Sequence, residues 1–113
     1  MNLGNKQREF TLCIAKLVIF AYESGYELTY GDAYRDHRLH GAPGVKKGYS
    51  HQSSTHKLRL AVDFNLFKDK RYLTKSSDYK VLGEYWESLH PLARWGGRFG
   101  DGNHFSFEHQ GIK

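Results

Sequence analysis

A single apolar stripe at helical spacing runs through the first quarter of this sequence. Its members fall at i, i+4, i+7, i+8 and i+11, and they are Phe10, Ile14, Leu17, Val18 and Ala21. That spacing predicts an amphipathic helix over about residues 5–24, with Gly25 as its stop signal. We interpret this helix as scaffold, because its one apolar face needs another element to pack on.

Four later segments have the composition expected of β-strands. They alternate apolar with polar residues or are rich in β-branched and aromatic side chains. These segments span residues 26–30, 58–67, 72–73 and 104–108. Asp69-Lys70 fits the turn between the second and third of them.

A second helix is predicted between the last two strands. Ser76, Ser77 or Asp78 can cap its start, and Pro91 ends it. Its apolar face carries Val81, Leu82, Tyr85, Trp86 and Leu89. The outline is an α+β fold in which two main helices pack on a small antiparallel sheet.

The length of 113 residues fits one ordinary small domain and leaves no room for a second core. We therefore expect residues 1–113 to form a single domain. Hydrophobic residues make up 39% of the chain, which is enough for a compact core. Cys13 is the only cysteine, so an intrachain disulfide and a cysteine-based zinc site are both excluded. Its apolar neighbours favour a buried, inert thiol.

The net charge of +5 favours polyanionic partners such as nucleic acid, acidic cell-wall polymers or anionic membranes. The basic residues are dispersed and form no recognition-helix pattern, so we expect no nucleic-acid site. The most apolar stretch, residues 10–22, carries Lys16 and is too short for a transmembrane segment. It also lacks a signal-peptide cleavage site, which predicts that the chain stays in the cytoplasm unless something else exports it.

Residues 36–54 form a long polar segment rich in Gly, His and Lys, with Pro43 in the middle. Such a stretch is uncommon in a small domain and is usually functional. We interpret it as a surface loop bordering a site. Three of the seven histidines, His37, His40 and His51, lie in it and are expected to be exposed.

Asp63 is the first residue that points to chemistry, because it lies between Val62 and Phe64 in a predicted strand. A buried carboxylate is costly unless it is paired, hydrogen-bonded or bound to a cation. His56 precedes this strand and offers a possible partner. The alternative is that Asp63 lies on the solvent face of a half-exposed strand, and the pattern alone does not choose between the two.

A second cluster is Asp101-Gly102-Asn103-His104. An acid three residues before a histidine, across a Gly-Asn turn, can place both side chains beside one small cavity. Alone, such a segment is usually only a turn. The two clusters together supply two histidines and a carboxylate as metal ligands, plus a second carboxylate to accept a proton. Catalytic zinc commonly has three protein ligands and an open position, so the residues favour metal-assisted hydrolysis without naming a substrate.

The same residues resemble the signature of a known zinc peptidase family. Ser54-x-His56, Ala61-x-Asp63 and Asp101-x-x-His104 are similar to motifs of the D-alanyl-D-alanine carboxypeptidase and L-alanyl-D-glutamate endopeptidase family, which includes many phage endolysins. The resemblance extends from about Thr29 to Phe107. It includes Tyr34-Arg35-Asp36, which matches an upstream arginine, and Trp95-Gly96-Gly97, which matches a tryptophan-glycine stretch. Arg59 departs from the pattern, because many members have glycine there.

The resemblance implies a role for each matched residue. His56, Asp63 and His104 would hold one zinc ion per chain. Asp101 would be the catalytic base that takes a proton from the attacking water and passes it to the leaving amine. Arg35 would bind a substrate carboxylate or the developing oxyanion, although a surface ion pair with Asp32 or Asp36 is an alternative. Ser54 would hydrogen-bond the substrate or steady the loop that carries His56.

The substrate implied by the resemblance is a peptidoglycan stem peptide. Asp-x-x-His resembles the members that cut between L-alanine and D-glutamate, including endolysins, whereas D-Ala-D-Ala-cleaving members typically carry glutamate. A monomeric phage lysis enzyme is therefore expected, held in the host cytoplasm until a holin pore releases it to the wall. The alternatives are a D-Ala-D-Ala carboxypeptidase or dipeptidase with the same site, and a catalytically silent, zinc-stabilised module that binds peptidoglycan.

Overall fold

A computed structural model describes residues 2–31 and 55–113 of the chain. These parts contain two α-helices and five β-strands. The elements are α1 (Leu3–Glu23), β1 (Glu27–Tyr30), β2 (Ala61–Lys68), β3 (Arg71–Leu73), α2 (Lys80–Leu89), β4 (Ala93–Trp95) and β5 (His104–Phe107). Short 3₁₀ turns at Thr55–Leu58, Ser76–Tyr79 and Gly96–Phe99 connect them. The predicted α+β architecture, with helices on an antiparallel sheet, is confirmed.

The first helix begins two residues earlier than the apolar stripe predicts. The Asn2 side chain accepts a hydrogen bond from the backbone N–H of Asn5 at 2.8 Å, which satisfies a donor that the first turn leaves free. The helix ends at Glu23, and Gly25 follows with a φ of 89° that glycine adopts without strain. The Asn2 side chain therefore sets the start of the helix and Gly25 its end, whereas the apolar stripe sets only the face.

Strand β2 is the centre of the sheet, whose order is β1-β2-β5-β4. All its pairings are antiparallel: β1 runs along one edge, opposite residues 64–67. The other edge pairs with β5 opposite residues 61–63 and with β3 opposite residues 66–68. Two different strands therefore share one edge of β2, and the sheet is interrupted between them.

The helices cover one face of this sheet. Val62, Phe64 and Leu66 alternate along β2 and are buried, as are Phe105 and Phe107 of β5. From α1, Phe10 meets the ring of Phe107 edge-on, with centroids 5.3 Å apart. From α2, Trp86 is fully buried and lies 5.7 Å from the same ring. Residues of β2 and β5 at the intervening positions therefore face the opposite side of the sheet.

Several smaller expectations are also settled. Cys13 is buried, as predicted, and burial raises the pKa of its thiol. The predicted strand over residues 58–67 begins too early, because Leu58 ends a 3₁₀ turn and β2 starts at Ala61. The sequence does not predict strand β4, because its three residues, between a proline and a glycine pair, are too few to establish a period. Neither described helix is long and apolar enough to cross a bilayer.

Arg59 explains where β2 starts. Its backbone has a φ of 56°, in the left-handed region that favours glycine, and this reverses the chain between the Thr55–Leu58 turn and β2. Glycine at this position would therefore match the conformation better than arginine does. Arginine thus stands, with a left-handed backbone, where the resembled pattern often has glycine.

We predict that Arg59→Gly stabilises the protein by about 0.5 kcal/mol. Removing the left-handed strain gains about 1 kcal/mol, and the greater freedom of glycine in the unfolded chain offsets part of it. Lys57→Gly, two residues earlier in the 3₁₀ turn, is the matched control and should lose about 0.5–1 kcal/mol. Urea unfolding of both variants measures the difference. Equal losses of unfolding free energy in Arg59→Gly and Lys57→Gly would show that the turn does not require the left-handed conformation.

Candidate functional site

The register of β2 and β5 places Asp63 directly opposite His104. Both side chains point to the face that the helices do not cover, since the neighbouring residues Phe64 and Phe105 pack in the core. Asp63 is only 7% exposed and His104 only 6%. The alternative that Asp63 lies on a solvent face is therefore wrong.

His56 joins the pair from the Thr55–Leu58 turn and is 1% exposed. Its Nε2 lies 3.2 Å from Asp63 Oδ1, and His104 Nδ1 lies 3.3 Å from the same oxygen. The two imidazole rings meet with centroids 5.1 Å apart. One potential ligand atom from each of the three side chains lies within 4.8 Å of the other two.

The carboxyl group of Asp63 stays ionised despite its burial. Burial raises its pKa, but hydrogen bonds from His104 and His56 outweigh that effect and lower the pKa to about 2. An ionised, buried carboxylate between two imidazoles is a strong cation ligand. It also explains why an aspartate is tolerated between the core residues Val62 and Phe64.

The donor set fits zinc. Two imidazole nitrogens and one carboxylate oxygen are ligands that zinc takes, and three protein ligands are typical of a catalytic site. Donor atoms about 2.0–2.2 Å from a tetrahedral ion lie about 3.3–3.6 Å from each other. The observed separations of 3.2 and 3.3 Å are close to these values. The donor atoms of all three side chains lie within 4.8 Å of one another, so His56, Asp63 and His104 together can hold one ion.

Asp101 lies in the turn that leads into β5 and is exposed. Its backbone N–H donates to the carbonyl of Gly96 at 2.8 Å, and its own carbonyl accepts from the N–H of His104 at 3.1 Å. The turn therefore fixes the backbone of Asp101 relative to that of His104. Asp101 is thus an exposed acid three residues before a buried histidine, and an exposed carboxylate can exchange protons with water.

Two side chains from other elements anchor this turn. The indole Nε1 of Trp95 donates to the carbonyl of Gly102 at 2.7 Å in a buried contact. The Oγ of Ser76 accepts from the N–H of Gly102 at 3.0 Å. Trp95 belongs to the tryptophan-glycine stretch noted in the sequence. The sequence predicts Ser76 only as a possible helix cap, because no pattern connects it to a turn 26 residues away.

Gly96 lies where a side chain does not fit. A Cβ atom there would be 2.1 Å from the carbonyl oxygen of Asp101 and 2.7 Å from the Cβ of His104. The predicted base and one predicted ligand therefore both rest against this glycine.

We predict that Gly96→Ala destabilises the protein by at least about 2 kcal/mol, because the backbone of the turn must move. Zinc binding should weaken in the same variant, since His104 moves with the turn. Gly4→Ala is the control: the nearest atom to its new Cβ would be 3.5 Å away, and alanine favours helix α1. Thermal unfolding with and without zinc measures both effects. A variant with unchanged stability and affinity would show that the turn does not hold His104.

Some predicted residues lie outside the described parts of the chain. These are Arg35 and Ser54, together with the predicted loop over residues 36–54 and its histidines. Two further histidines lie away from the cluster. His90 follows the end of α2 as its C-cap residue, and its Nε2 lies 2.8 Å from Glu9 Oε1. The Nδ1 of His109 lies 2.9 Å from the Nζ of Lys6.

Comparison with known families agrees with this geometry. A sequence model described as D-alanyl-D-alanine carboxypeptidase, of the M15 peptidases, matches residues 47–107, more than half of the chain. No curated protein gives a significant match. The matched segment includes His56, Asp63, Asp101 and His104, whereas Arg35 lies before it. The chain belongs to this family of zinc-dependent peptidases and is a metallopeptidase by family.

Proposed function

We propose that this chain is a zinc peptidase that hydrolyses the L-alanyl-D-glutamate bond of peptidoglycan stem peptides. The observation that supports the proposal is the buried cluster of His56, Asp63 and His104. The turn that leads into His104 also carries an exposed acid, Asp101. Family membership supports peptide hydrolysis. The choice of bond rests on the Asp101-x-x-His104 motif, which resembles the endopeptidase members.

The proposed chemistry divides between the metal and Asp101. A zinc ion held by the three ligands would polarise the peptide carbonyl and increase the acidity of the attacking water. Asp101 accepts the proton that this water loses as its oxygen bonds to the carbonyl carbon. It then donates the proton to the amine as the carbon–nitrogen bond breaks. One carboxylate thus acts first as base and then as acid, and it returns to its ionised form.

Arg35 and Ser54 are proposed as substrate-binding residues. A permanently charged, planar guanidinium suits a substrate carboxylate or the oxyanion that forms during attack. Ser54 lies two residues before His56, so its hydroxyl is suited to bind the peptide near the metal or to hold the adjoining loop. Both roles come from the family motif and stay predictions.

The main alternative is a D-Ala-D-Ala carboxypeptidase or dipeptidase with the same ligands. The matching family, described as D-alanyl-D-alanine carboxypeptidase, favours this alternative. A catalytically silent module that binds peptidoglycan through a structural zinc site is a further alternative. Against it stands Asp101, because a purely structural site has no use for an exposed acid in this turn.

We also propose a biological setting. A basic, monomeric enzyme that a phage holds in the host cytoplasm and releases through a holin pore would reach the cell wall during lysis. The net charge of +5 suits anionic wall polymers.

Digestion of purified peptidoglycan, followed by mass spectrometry of the products, tests the bond. We expect new N-terminal D-glutamate and L-alanine left on the glycan, lost with a chelator and restored by zinc. Released D-alanine would assign the carboxypeptidase instead. A folded, zinc-loaded protein that cuts neither bond would favour the binding module.

A further inference from the structure

Ser76 contacts the turn that carries the predicted base, although it lies 26 residues before that contact in the sequence. It belongs to the 3₁₀ turn that precedes α2, and its Oγ accepts a hydrogen bond from the backbone N–H of Gly102 at 3.0 Å. Gly102 is buried, so its N–H needs a partner within the protein. No step of the proposed chemistry gives Ser76 a role.

The hydrogen bond to Ser76 acts on Asp101 directly, because Asp101 and Gly102 share one peptide group. The N–H of Gly102 and the carbonyl of Asp101 belong to the same planar unit, which is attached to the Cα of Asp101. The carbonyl accepts from the N–H of His104 at 3.1 Å, and the N–H donates to Ser76. Ser76 and His104 therefore hold opposite edges of this peptide group, and together they fix its orientation.

The next peptide group is fixed in the same way. The carbonyl of Gly102 accepts from the indole Nε1 of Trp95 at 2.7 Å. A Cβ atom at Gly102 would lie 2.5 Å from the Cα of Ser76 and 2.8 Å from its Cβ, so a larger residue would push Ser76 away. A buried glycine thus lies between a serine and a tryptophan of two other elements, whose side chains satisfy both of its backbone polar groups.

The metal ligand of this segment is held by contacts that do not involve Ser76. The pairing of β5 with β2 places His104 opposite Asp63. The same two strands hold the preceding residue, because the carbonyl of Asn103 accepts from a backbone N–H of β2 at 3.0 Å. Loss of the Ser76 hydroxyl should therefore disturb the backbone of Asp101 and leave His104 in place.

We propose that Ser76 is a positioning residue for the predicted base. It orients the peptide group of Asp101 and so holds this carboxylate where it exchanges a proton with the attacking water. The inference rests on the proposed function, because that function assigns the role of base to Asp101. A displacement of about 1 Å in a reacting group can lower a rate about 100-fold, so the contact should affect turnover more than substrate binding.

Steady-state cleavage of stem peptides by Ser76→Ala tests this role. We expect kcat to fall about tenfold with KM and zinc content unchanged, because the unpaired N–H of Gly102 draws its peptide group toward water. Ser77→Ala, at an exposed serine of the same turn, is the matched control and should have the wild-type kcat. Ser76→Thr keeps the accepting oxygen and should recover most of the rate. A wild-type kcat in Ser76→Ala would overturn the proposal.

A double-mutant cycle distinguishes positioning of the base from a general loss of stability. Because Ser76 is proposed to act through Asp101, Ser76→Ala should lower kcat by no more than about twofold in a protein that already carries Asp101→Asn. A full fall of about tenfold in that background would overturn the proposal, since the effect of Ser76 would then not depend on the base.

Hydrogen exchange of the zinc-loaded protein, measured by NMR, detects the contact without any activity. We expect the amide of Gly102 to exchange at least about tenfold faster in Ser76→Ala, and the amides of β5 to exchange at wild-type rates. Faster exchange in a protein that cleaves nothing would support Ser76 as the residue that orients the turn and would refute the proposed function. An active Ser76→Ala protein whose Gly102 amide exchanges at the wild-type rate would overturn the positioning role alone.

Discussion

Replacing Asp101 with alanine is expected to abolish nearly all turnover while leaving the fold and the zinc content unchanged. Asp101 is exposed and is not part of the buried ligand cluster, so its loss removes proton transfer and leaves the metal site intact. General acid–base catalysis contributes about 10²- to 10⁴-fold, and this is the expected fall in kcat/KM. Peptide release from peptidoglycan and zinc analysis of the same sample measure the two quantities.

Asp101→Asn sharpens this test, because it keeps the shape of the side chain and removes only its basicity. Glu84→Gln is the matched control, since Glu84 is an exposed carboxylate on α2. We expect the control to have wild-type rates. Wild-type rates in Asp101→Asn would show that Asp101 is not the base. A loss of zinc from Asp101→Asn would show that Asp101 supports the metal site instead.

Replacing His56 with alanine is expected to remove both the metal and the stability that it gives. The ligand is 1% exposed and lies 3.2 Å from Asp63, so the variant has an incomplete zinc site and a cavity. Removing a residue that only hydrogen-bonds a metal ligand weakens metal binding about 10- to 100-fold. Removing a ligand itself should weaken metal binding by more than this factor. Zinc at about 100 times its Kd adds about 2.7 kcal/mol to the wild type, roughly 10 °C in Tm.

The measurement is a thermal melt of each protein with and without zinc. His109→Ala is the control, because His109 contacts Lys6 and lies outside the cluster. The control should keep the full zinc-dependent rise in Tm, and His56→Ala should lose it. Comparing each variant with its own metal-free form separates the zinc effect from the cavity that the substitution leaves. An undiminished rise in His56→Ala would exclude His56 as a ligand.

The sequence predicts the elements whose faces repeat regularly. The apolar stripe of α1 and the face of α2 follow from helical periodicity, and β2 follows from its β-branched and aromatic residues. Strand β4 and the start of β2 escape prediction for a local reason. A three-residue strand is too short to establish a period, and the left-handed backbone at Arg59 is one that arginine rarely adopts, so residue preference does not reveal it.

The site is less accessible to sequence reasoning than the fold. Composition and pattern leave the burial of Asp63 undecided, because a strand has two faces and only the register with β5 determines which is covered. His104 is 41 residues away from Asp63, and no periodicity connects them. The resemblance to a peptidase family, unlike the residue pattern alone, already assigns Asp63 and His104 to one site. It does not reveal the contact of Ser76 with Gly102, which depends on how two turns pack.

The metal site is tested most directly by the rate of peptidoglycan hydrolysis as zinc is returned to the metal-stripped protein. We expect no hydrolysis without metal and a rise in rate that reaches a plateau at one zinc ion per chain. The same titration of His56→Ala should produce no rise. Full activity in the stripped protein, or a rise in the variant that matches the wild type, would contradict a peptidase site built on His56, Asp63 and His104.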